Sequence, residues 1–384
     1  MNENDLAINI NTINLEINNG NNFENDNKNG IIKDINNYDL NDISNNNVNT
    51  NVSSKYTKLR TNSIDIDYTT LNLSKLNLSN ILLKNDLIFS MTFLSDNRLV
   101  LGGKLGKIYI FSLNLEDKII IKNPSKKASI NQLLLLVSKK LLALNSDKKI
   151  HIYNIINKQY ELVQIIRVPS IIYKIIEVKD EKLISIHKDN SLRGFVKNNF
   201  SYQGECIWKK DYEDDTTLFN NIFSLKNKNK FIATCYTEEK LFFLNIGTYN
   251  IKNSLNLNVS YSINNIQFLN DNNILVGGDL NIYLIDIKKE VLITSIATKG
   301  TVITFLVLNE NCFLSGEDNE DYEFSNLNKY QIINNNMKQT DIKIKLLETK
   351  KRIHDDIIRN IVLYNNQSLI TSGEDNEVKI WNFN

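Results

Sequence analysis

An all-β fold built from seven repeated units is predicted by three features of the sequence. From about residue 69, short runs of Ile, Leu, Val, Phe and Tyr alternate with turns rich in Asn, Asp, Gly and Lys, as in strands joined by tight turns. No long window carries a helical stripe of apolar residues. The hexapeptide SGEDNE occurs at 315–320 and again at 372–377, inside a unit that recurs about every 40 residues, the period of a β-propeller blade.

The composition indicates a globular chain without a dominant charge. Of its 384 residues 42% are hydrophobic, and 45 Lys and Arg against 44 Asp and Glu leave a formal net charge of +1. Such a chain has no general field that attracts nucleic acid or an anionic membrane. The cysteines at 206, 235 and 312 lack the CxxC spacing of zinc sites and redox motifs. We therefore expect reduced thiols in a cytosolic or nuclear protein, without metal or cofactor.

The N-terminal segment, residues 1–68, differs from the rest. Nineteen of the first fifty residues are Asn, and the interspersed Ile and Leu follow no helical or strand period. Such a segment buries too little apolar surface to offset the entropy of ordering it. We predict disordered low-complexity chain, either a tether with weak partner motifs or a consequence of coding bias. The sequence predicts neither a secretion signal nor a membrane span.

Each of the seven copies contains an apolar strand, a polar turn, a second apolar strand, a tight acidic turn and a third strand. The third strands are predicted to end at Phe111, Tyr153, Phe195, Leu244, Ile285, Phe324 and Trp381. Further apolar runs between copies predict a fourth strand for each blade, at 117–122, 159–167, 290–297 and 340–348.

The last copy is followed by only three residues, so its fourth strand must come from elsewhere. Alternating apolar and polar residues within 63–79 predict a strand at about 70–79 that pairs with the last copy and closes the ring. Closure removes sheet edges that promote aggregation. The leucine spacing at 71–80 also fits a leucine-rich repeat, but a single such repeat has nothing to stack on.

This organisation, over residues 70–384, resembles the WD40 (WD-repeat) family of seven-bladed propellers. The family places an Asp in the turn six residues before the end of the third strand. Glu238 and Leu105 depart from this pattern, and the other five copies have the acid as Asp147, Asp189, Asp279, Asp318 and Asp375. Only one copy ends in Trp, so the resemblance is to a diverged member.

The last copy resembles the family pattern most closely. His354 precedes Asp375 by 21 residues, and the resemblance implies that both join Ser372 and Trp381 in a buried hydrogen-bond network that locks the blade. His, Ser and Asp also form hydrolase triads, but the family uses these positions structurally. We therefore predict no catalytic residue and no enzyme. Backbone hydrogen bonding explains the turn acids, so no metal site is predicted.

The resemblance implies a non-enzymatic scaffold or adaptor that binds other proteins or peptides on one propeller face. In the family this face carries the residue at the start of each first strand and the residue just before each turn acid. The first ring would be Phe89, Asn131, Tyr173, Asn220, Asn264, Ile303 and Arg359, and the second ring Lys104, Ser146, Lys188, Thr237, Gly278, Glu317 and Glu374.

The second ring predicts a face with opposite charge on its two sides. Lys104 and Lys188 lie on blades one and three, whereas Glu317 and Glu374 lie on blades six and seven. A peptide with an acidic and a basic end would lie across it, anchored by Phe89, Tyr173 and Arg359, since aromatic residues and Arg dominate interface energetics. The alternative is that these are ordinary solvent-facing loop residues.

Two other functions stay open at this point. SLRGF at 191–195 resembles the basic Arg-Gly motif of phosphoinositide-binding propellers, although only Arg193 is present where those proteins use an adjacent pair. Lipid headgroup binding is thus a weaker alternative. A propeller enzyme would need His and carboxylate side chains clustered around the channel.

Overall fold

A computed structural model describes residues 71–124, 128–156, 159–178, 181–189, 191–198, 201–208, 219–225, 230–235, 240–246, 251–257, 263–319, 323–334, 342–364 and 368–383. The predicted N-terminal extension, Thr237 and Glu238 lie outside these ranges. Within them the strands form seven four-stranded antiparallel sheets. The predicted all-β, seven-bladed propeller is confirmed.

Each of the first six sheets, or blades, uses four strands that are consecutive in the chain. Blade one contains β2 (Ile88–Phe93), β3 (Leu99–Gly103), β4 (Lys107–Phe111) and β5 (Lys118–Lys122); blade two contains β6 (Ile130–Leu135), β7 (Leu141–Asn145), β8 (Lys149–Ile156) and β9 (Gln159–Arg167); blade three contains β10 (Ile172–Glu177), β11 (Leu183–His187), β12 (Leu192–Asn198) and β13 (Ser201–Trp208).

The remaining blades repeat this order. Blade four contains β14 (Phe219–Ser224), β15 (Lys230–Cys235), β16 (Lys240–Asn245) and β17 (Ile251–Asn256); blade five contains β18 (Ile263–Phe268), β19 (Asn273–Gly278), β20 (Asn281–Asp286) and β21 (Val291–Ala297); blade six contains β22 (Val302–Asn309), β23 (Cys312–Asp318), β24 (Ser325–Asn334) and β25 (Ile342–His354); blade seven contains β26 (Ile358–Tyr364), β27 (Ser368–Gly373), β28 (Glu377–Phe383) and β1 (Leu76–Lys84).

The core consists of seven apolar clusters of described residues, one at each seam between neighbouring blades. The middle strands of a blade are buried on both faces, as in Leu99–Gly103, because side chains alternate between the two adjacent seams. The cluster that joins blades seven and one contains Ile88, Leu101 and Val378. Hydrophobic burial therefore runs around the whole ring.

The strand that closes the ring is β1, which pairs antiparallel with β28. It begins at Leu76 and ends at Lys84, so the predicted bounds of 70–79 are wrong. Residues 73–75 instead form a short 3-10 turn in which the Asn72 side chain accepts a hydrogen bond from the Ser74 amide at 2.8 Å. This local capping competes with strand pairing and delays the strand.

The third strand of blade six also differs from the prediction. It begins at Ser325, just after the predicted end at Phe324, and Tyr330 pairs with Phe313 as Trp381 pairs with Leu369 in blade seven. The connection between β23 and β24 covers residues 319–324, whereas that between β27 and β28 covers 374–376. The longer connection moves the whole third strand along the chain.

Candidate functional site

The first ring of predicted residues is built by a bulge that all seven blades share. In every blade the pairing of the first two strands shifts by one residue immediately after the first residue of the strand, as between Ile88 and Ser90. A bulge residue is extra to the ladder and can be turned toward a binding surface. The bulge residues are Phe89, Asn131, Tyr173, Asn220, Asn264, Ile303 and Arg359.

In blades one, two, three and seven the second-ring residue directly follows the second strand, next to the bulge. Its backbone amide donates to the carbonyl that precedes the first strand, as from Lys104 to Leu87 at 2.8 Å and from Glu374 to Ile357 at 2.8 Å. The backbone amides of Ser146, Lys188 and Asp318 donate the equivalent hydrogen bond in their own blades. The structure thus places Lys104, Ser146, Lys188 and Glu374 where they were predicted, and Asp318 in the place expected for Glu317.

The assignment of Glu317 to the binding face is therefore wrong. Glu317 pairs with Val302, the first residue of its blade, whereas the residue in that position of blade seven is Gly373, which pairs with Ile358. The two SGEDNE copies are offset by one residue in the structure. A one-residue offset reverses the direction of every side chain in a strand.

The side chains show the consequence of this offset. Glu317 is only 2% exposed and accepts hydrogen bonds from Ser315 at 2.5 Å and Tyr330 at 2.8 Å. Burial raises its pKa, although these hydrogen bonds oppose the shift. Glu374, the residue equivalent to Glu317 in the other copy of the hexapeptide, lies at the surface and pairs with Arg359.

The second-ring residue of blade five also differs from the predicted one. Gly278 pairs with Ile263, so it occupies the position of Gly373, and the residue that follows β19 is Asp279. Asp279 accepts a hydrogen bond from the bulge residue Asn264 at 3.3 Å, as Glu374 does from Arg359. Asp279 therefore belongs to the second ring rather than Gly278.

The predicted network of blade seven forms through Thr371 instead of Ser372. His354 Nδ1 donates to both oxygens of Asp375, at 2.9 and 2.8 Å. Thr371 Oγ1 lies 2.8 Å from His354 Nε2 and accepts a hydrogen bond from Trp381 Nε1 at 2.9 Å. A neutral imidazole with its proton on Nδ1 satisfies every one of these contacts.

The assignment of Ser372 to this network is wrong because adjacent strand residues face opposite sides. Ser372 Oγ accepts from Asn360 Nδ2 at 2.9 Å and lies 3.4 Å from the carbonyl oxygen of Ile88. It therefore contributes to the seam between blades seven and one.

Electrostatics keep Asp375 ionised inside this network. Burial favours its protonated form, but hydrogen bonds from His354 and Lys379 outweigh burial and lower the pKa of Asp375 to about 2. Lys379 Nζ donates to Asp375 at 2.9 Å. Burial lowers the pKa of His354 despite the nearby carboxylate, so the imidazole is neutral at physiological pH.

Asp375, His354 and Thr371 are linked acid to imidazole to hydroxyl, as in a hydrolase triad, but the Thr371 hydroxyl is buried. Thr371 and His354 are both fully buried, and the Thr371 oxygen already accepts the Trp381 indole N–H. A nucleophile must be reachable by a substrate. The arrangement can lock strands together, and it presents no reacting atom to solvent.

The other turn acids have partners within their own blades. Asp189 accepts from Ser191 Oγ at 2.5 Å and from Arg193 Nη2 at 2.8 Å, and Asp147 pairs with Lys149 at 2.6 Å. Asp318 is not a turn acid, because it ends strand β23 and is buried. Its Oδ1 lies 2.8 Å from Ser325 Oγ.

Two blades replace the histidine network with residues that the sequence analysis did not single out. In blade one, buried Asp86 accepts from Tyr109 Oη at 2.8 Å and from the Leu105 amide at 3.0 Å. In blade three, His187 Nε2 lies 2.7 Å from Ser185 Oγ. Ser185 pairs with Arg193 as Thr371 pairs with Lys379, so the two hydroxyls are equivalent.

Polar side chains on the first strands fasten neighbouring blades. Gln132 of blade two donates to the Ile175 carbonyl at 2.8 Å and accepts from the Ile175 amide at 2.9 Å in blade three. Asn360 of blade seven donates to the Ile88 carbonyl at 3.3 Å in blade one. In the sequence, each of these side chains is marked as a polar residue two positions after the start of an apolar first strand, and this pattern could have predicted the contact.

Two further findings concern metal ligands and membrane-spanning helices. Among the described residues no group of three or more His, Cys, Asp or Glu side chains could hold a metal ion. In the same part of the chain, no helix has the length and apolar character needed to cross a membrane.

Comparison with known proteins gives matches only among solved structures. No protein-family model and no curated protein sequence matches the chain. A chain in a crystal structure of the mitotic checkpoint complex aligns with a TM-score of 0.64 and 9% identity, over 84% of this chain and 98% of that chain. The β-propeller domain of Cps50 (Swd1) from Myceliophteria thermophila aligns with a TM-score of 0.64 and 12% identity, over 80% of this chain and 100% of that chain. At these identities the likeness is one of fold, and the fold is that of WD40-type seven-bladed β-propellers.

Proposed function

We propose that the chain is a diverged WD40 protein that acts as a non-enzymatic scaffold or adaptor in a larger assembly. The observation that carries this proposal is the bulge at the start of each first strand. It sets one residue per blade at the start of the first strand, on the same face as the second-ring residues that the structure describes. A rigid surface of this kind loses little conformational entropy on binding.

The partner is a protein or peptide with an acidic and a basic part. Lys104 and Lys188 are exposed on blades one and three, whereas the second-ring residues Asp279 and Glu374 of blades five and seven are acidic and partly exposed. Charges arranged in this way select the orientation of a partner and raise its association rate.

Tyr173, Phe89 and Arg359 are the proposed anchors. Tyr173 is 38% exposed and Phe89 is half-buried, so both rings present apolar surface at the face. Arg359 is exposed but pairs with Glu374. A partner carboxylate would have to displace Glu374 from the guanidinium, whereas a basic group of the partner could pair with Glu374, in keeping with a basic part of the partner near blade seven.

Affinity purification of the tagged full chain with mass spectrometry tests the proposal. The double variant Tyr173→Ala, Arg359→Ala should lose partners that the wild type retains. Leu113→Ala is the matched control, because Leu113 is exposed in the β4–β5 turn at the opposite end of the strands. Partners that persist in the double variant would remove the face from consideration.

The phosphoinositide alternative depends on Arg193, whose side chain donates to Ser191 at 2.8 Å and to Asp189 at 2.8 Å. A headgroup phosphate would have to compete with both. Flotation with vesicles that contain phosphoinositide separates the two functions. A headgroup-binding protein should rise with the vesicles, whereas a scaffold without lipid affinity should stay at the bottom of the gradient.

A further inference from the structure

Strand β9 forms the rim of blade two and, like the rim strand β21 of blade five, exposes apolar side chains. In the part of the chain that the structure describes, no strand pairs with its outer edge. Tyr160 is 41% and Ile165 is 43% exposed. Free strand edges are usually blunted by Lys, Pro or short length, and β5 and β25 follow this rule with lysines at 118, 122, 343, 345, 350 and 351. The sequence of β9, QYELVQIIR, has no Lys.

Four side chains of β9 share one face of the sheet. Tyr160, Leu162, Ile165 and Arg167 pair with Ile155, Tyr153, His151 and Lys149 of β8. Tyr153, Ile155 and Leu162 pack in the cluster between blades one and two, so this face looks toward blade one. The pairing shifts at Val163, which lies between the partners of Ile152 and Tyr153. The bulge keeps Leu162 and Ile165 on the same face although they are three residues apart.

This bulge makes the spacing of the four residues along β9 symmetric. The intervals between Tyr160, Leu162, Ile165 and Arg167 are two, three and two residues, so the row reads the same in both directions about the point between Val163 and Gln164. An antiparallel copy of the strand therefore sets Leu162 opposite Ile165, and Tyr160 opposite Arg167. The first pair is aliphatic and the second brings a guanidinium to an aromatic ring. No like charges oppose each other in this register.

We infer that the chain forms a two-fold homodimer in which β9 of one copy pairs antiparallel with β9 of the other. The contact is isologous, as expected for a closed dimer, and it joins two four-stranded blades into one eight-stranded sheet. Gln164 fixes the position of β9, because its side chain accepts from the Tyr202 amide at 3.0 Å and donates to the Tyr202 carbonyl at 2.7 Å. These bonds hold β9 against blade three, while Tyr160 and Ile165 on the other face are 41% and 43% exposed.

The inference goes beyond the scaffold proposal, since it concerns the rim rather than the face. Two discs joined at their rims keep both faces accessible. A dimer of a scaffold would present two copies of each binding surface, which increases avidity for a divalent partner.

Sedimentation velocity of the full-length chain tests the inference. The wild type should shift with concentration toward twice the chain mass of 44.3 kDa over about 1–100 µM, the range suited to a small interface. Ile165→Lys and Tyr160→Lys should each shift the equilibrium at least tenfold toward monomer. Tyr160→Glu should retain the dimer, because the new carboxylate faces Arg167 of the other copy.

Val291→Lys is the matched control, because Val291 is 42% exposed on another rim strand, β21. It should leave the dimer intact, and thermal melts should show all four variants folded. A wild type that stays monomeric through this range overturns the inference, as does a dimer that Ile165→Lys leaves unchanged. Equal effects of Tyr160→Lys and Tyr160→Glu would overturn the antiparallel register.

Discussion

His354 and Asp375 lie 21 residues apart in sequence, and the structure joins His354 Nδ1 to both carboxylate oxygens of Asp375 at 2.9 and 2.8 Å. The same carboxylate holds Lys379, which is buried. Asp375 is therefore the point at which the last turn of the propeller, the strand β25 that ends at His354, and the third strand of blade seven meet.

Asp375→Ala should destabilise the propeller by about 3–5 kcal/mol, because it removes the carboxylate that accepts from both the buried His354 imidazole and the buried Lys379 ammonium, which keeps the longer contact with Glu377 at 3.3 Å. Equilibrium denaturation by urea measures the loss. Asp96→Ala is the control, since Asp96 is exposed and pairs only with nearby Arg98. Equal effects of the two substitutions would show that the buried pair has no special contribution.

The contribution of Asp375 also depends on pH. Its folded pKa of about 2 lies below the value of about 3.9 expected when unfolded. The stabilisation is thus present above pH 4 and is lost as pH falls toward 2. Melting curves between pH 5 and pH 2 should show the wild type approaching Asp375→Ala in stability as the pH falls.

Asp318 should behave in the opposite way. Ser325 Oγ lies 2.8 Å from three groups: Asp318 Oδ1, the Asp356 carbonyl oxygen and the Ile358 amide. The serine has one proton for two acceptors, so a proton on Asp318 completes the set. Burial, together with nearby Glu374 and Asp356, raises the pKa of Asp318 to about 6 although Ser325 and Arg359 oppose the shift.

A raised carboxyl pKa means that the folded state loses stability as pH rises from about 4 through 6. Asp318→Asn mimics the protonated acid, so it should be about 1–2 kcal/mol more stable than the wild type at pH 8 and no more stable at pH 4. Thermal melts at both values check this. A variant that is less stable at pH 8 would contradict the proton assignment.

The two copies of SGEDNE should respond differently to the same substitution. Glu317→Ala leaves the buried hydroxyls of Ser315 and Tyr330 without their acceptor, and should cost about 2–4 kcal/mol. Glu374→Ala removes one surface ion pair, for which about 0–1 kcal/mol is expected. Urea denaturation of both variants gives the comparison, and similar losses would mean that the one-residue offset is wrong.

The closing strand offers a matched pair of leucines. Leu76 is fully buried in the cluster with Trp381, whereas Leu78 is 48% exposed on the same strand. Leu76→Ala should lower the unfolding free energy by about 2–4 kcal/mol, and Leu78→Ala by less than about 1 kcal/mol. If Leu78→Ala were the more damaging, the burial of Leu76 and the exposure of Leu78 in β1 would be wrong.

The sequence by itself determined the strand-and-turn repeat, the number of blades, the position of the first ring and the need for an N-terminal strand to close the ring. These follow from apolar periodicity and turn residues, which act locally. Tertiary structure decided which register each repeat adopts. SGEDNE is the same in two blades, but the connection after β23 is longer than the one after β27, and the pairing partners place Glu317 inside and Glu374 outside.

The same reason explains the other differences. Thr371 and Ser372 are adjacent hydroxyl residues, and only the packing of blade seven between its two neighbours decides which one meets His354. Asp86 takes the place of His354 in blade one, because Gly103 leaves room for its carboxylate as Gly373 does for the His354 ring. The symmetry of β9 depends on the bulge at Val163, which pairing with β8 creates. Strand alternation is a two-fold choice, and contacts distant in sequence make that choice.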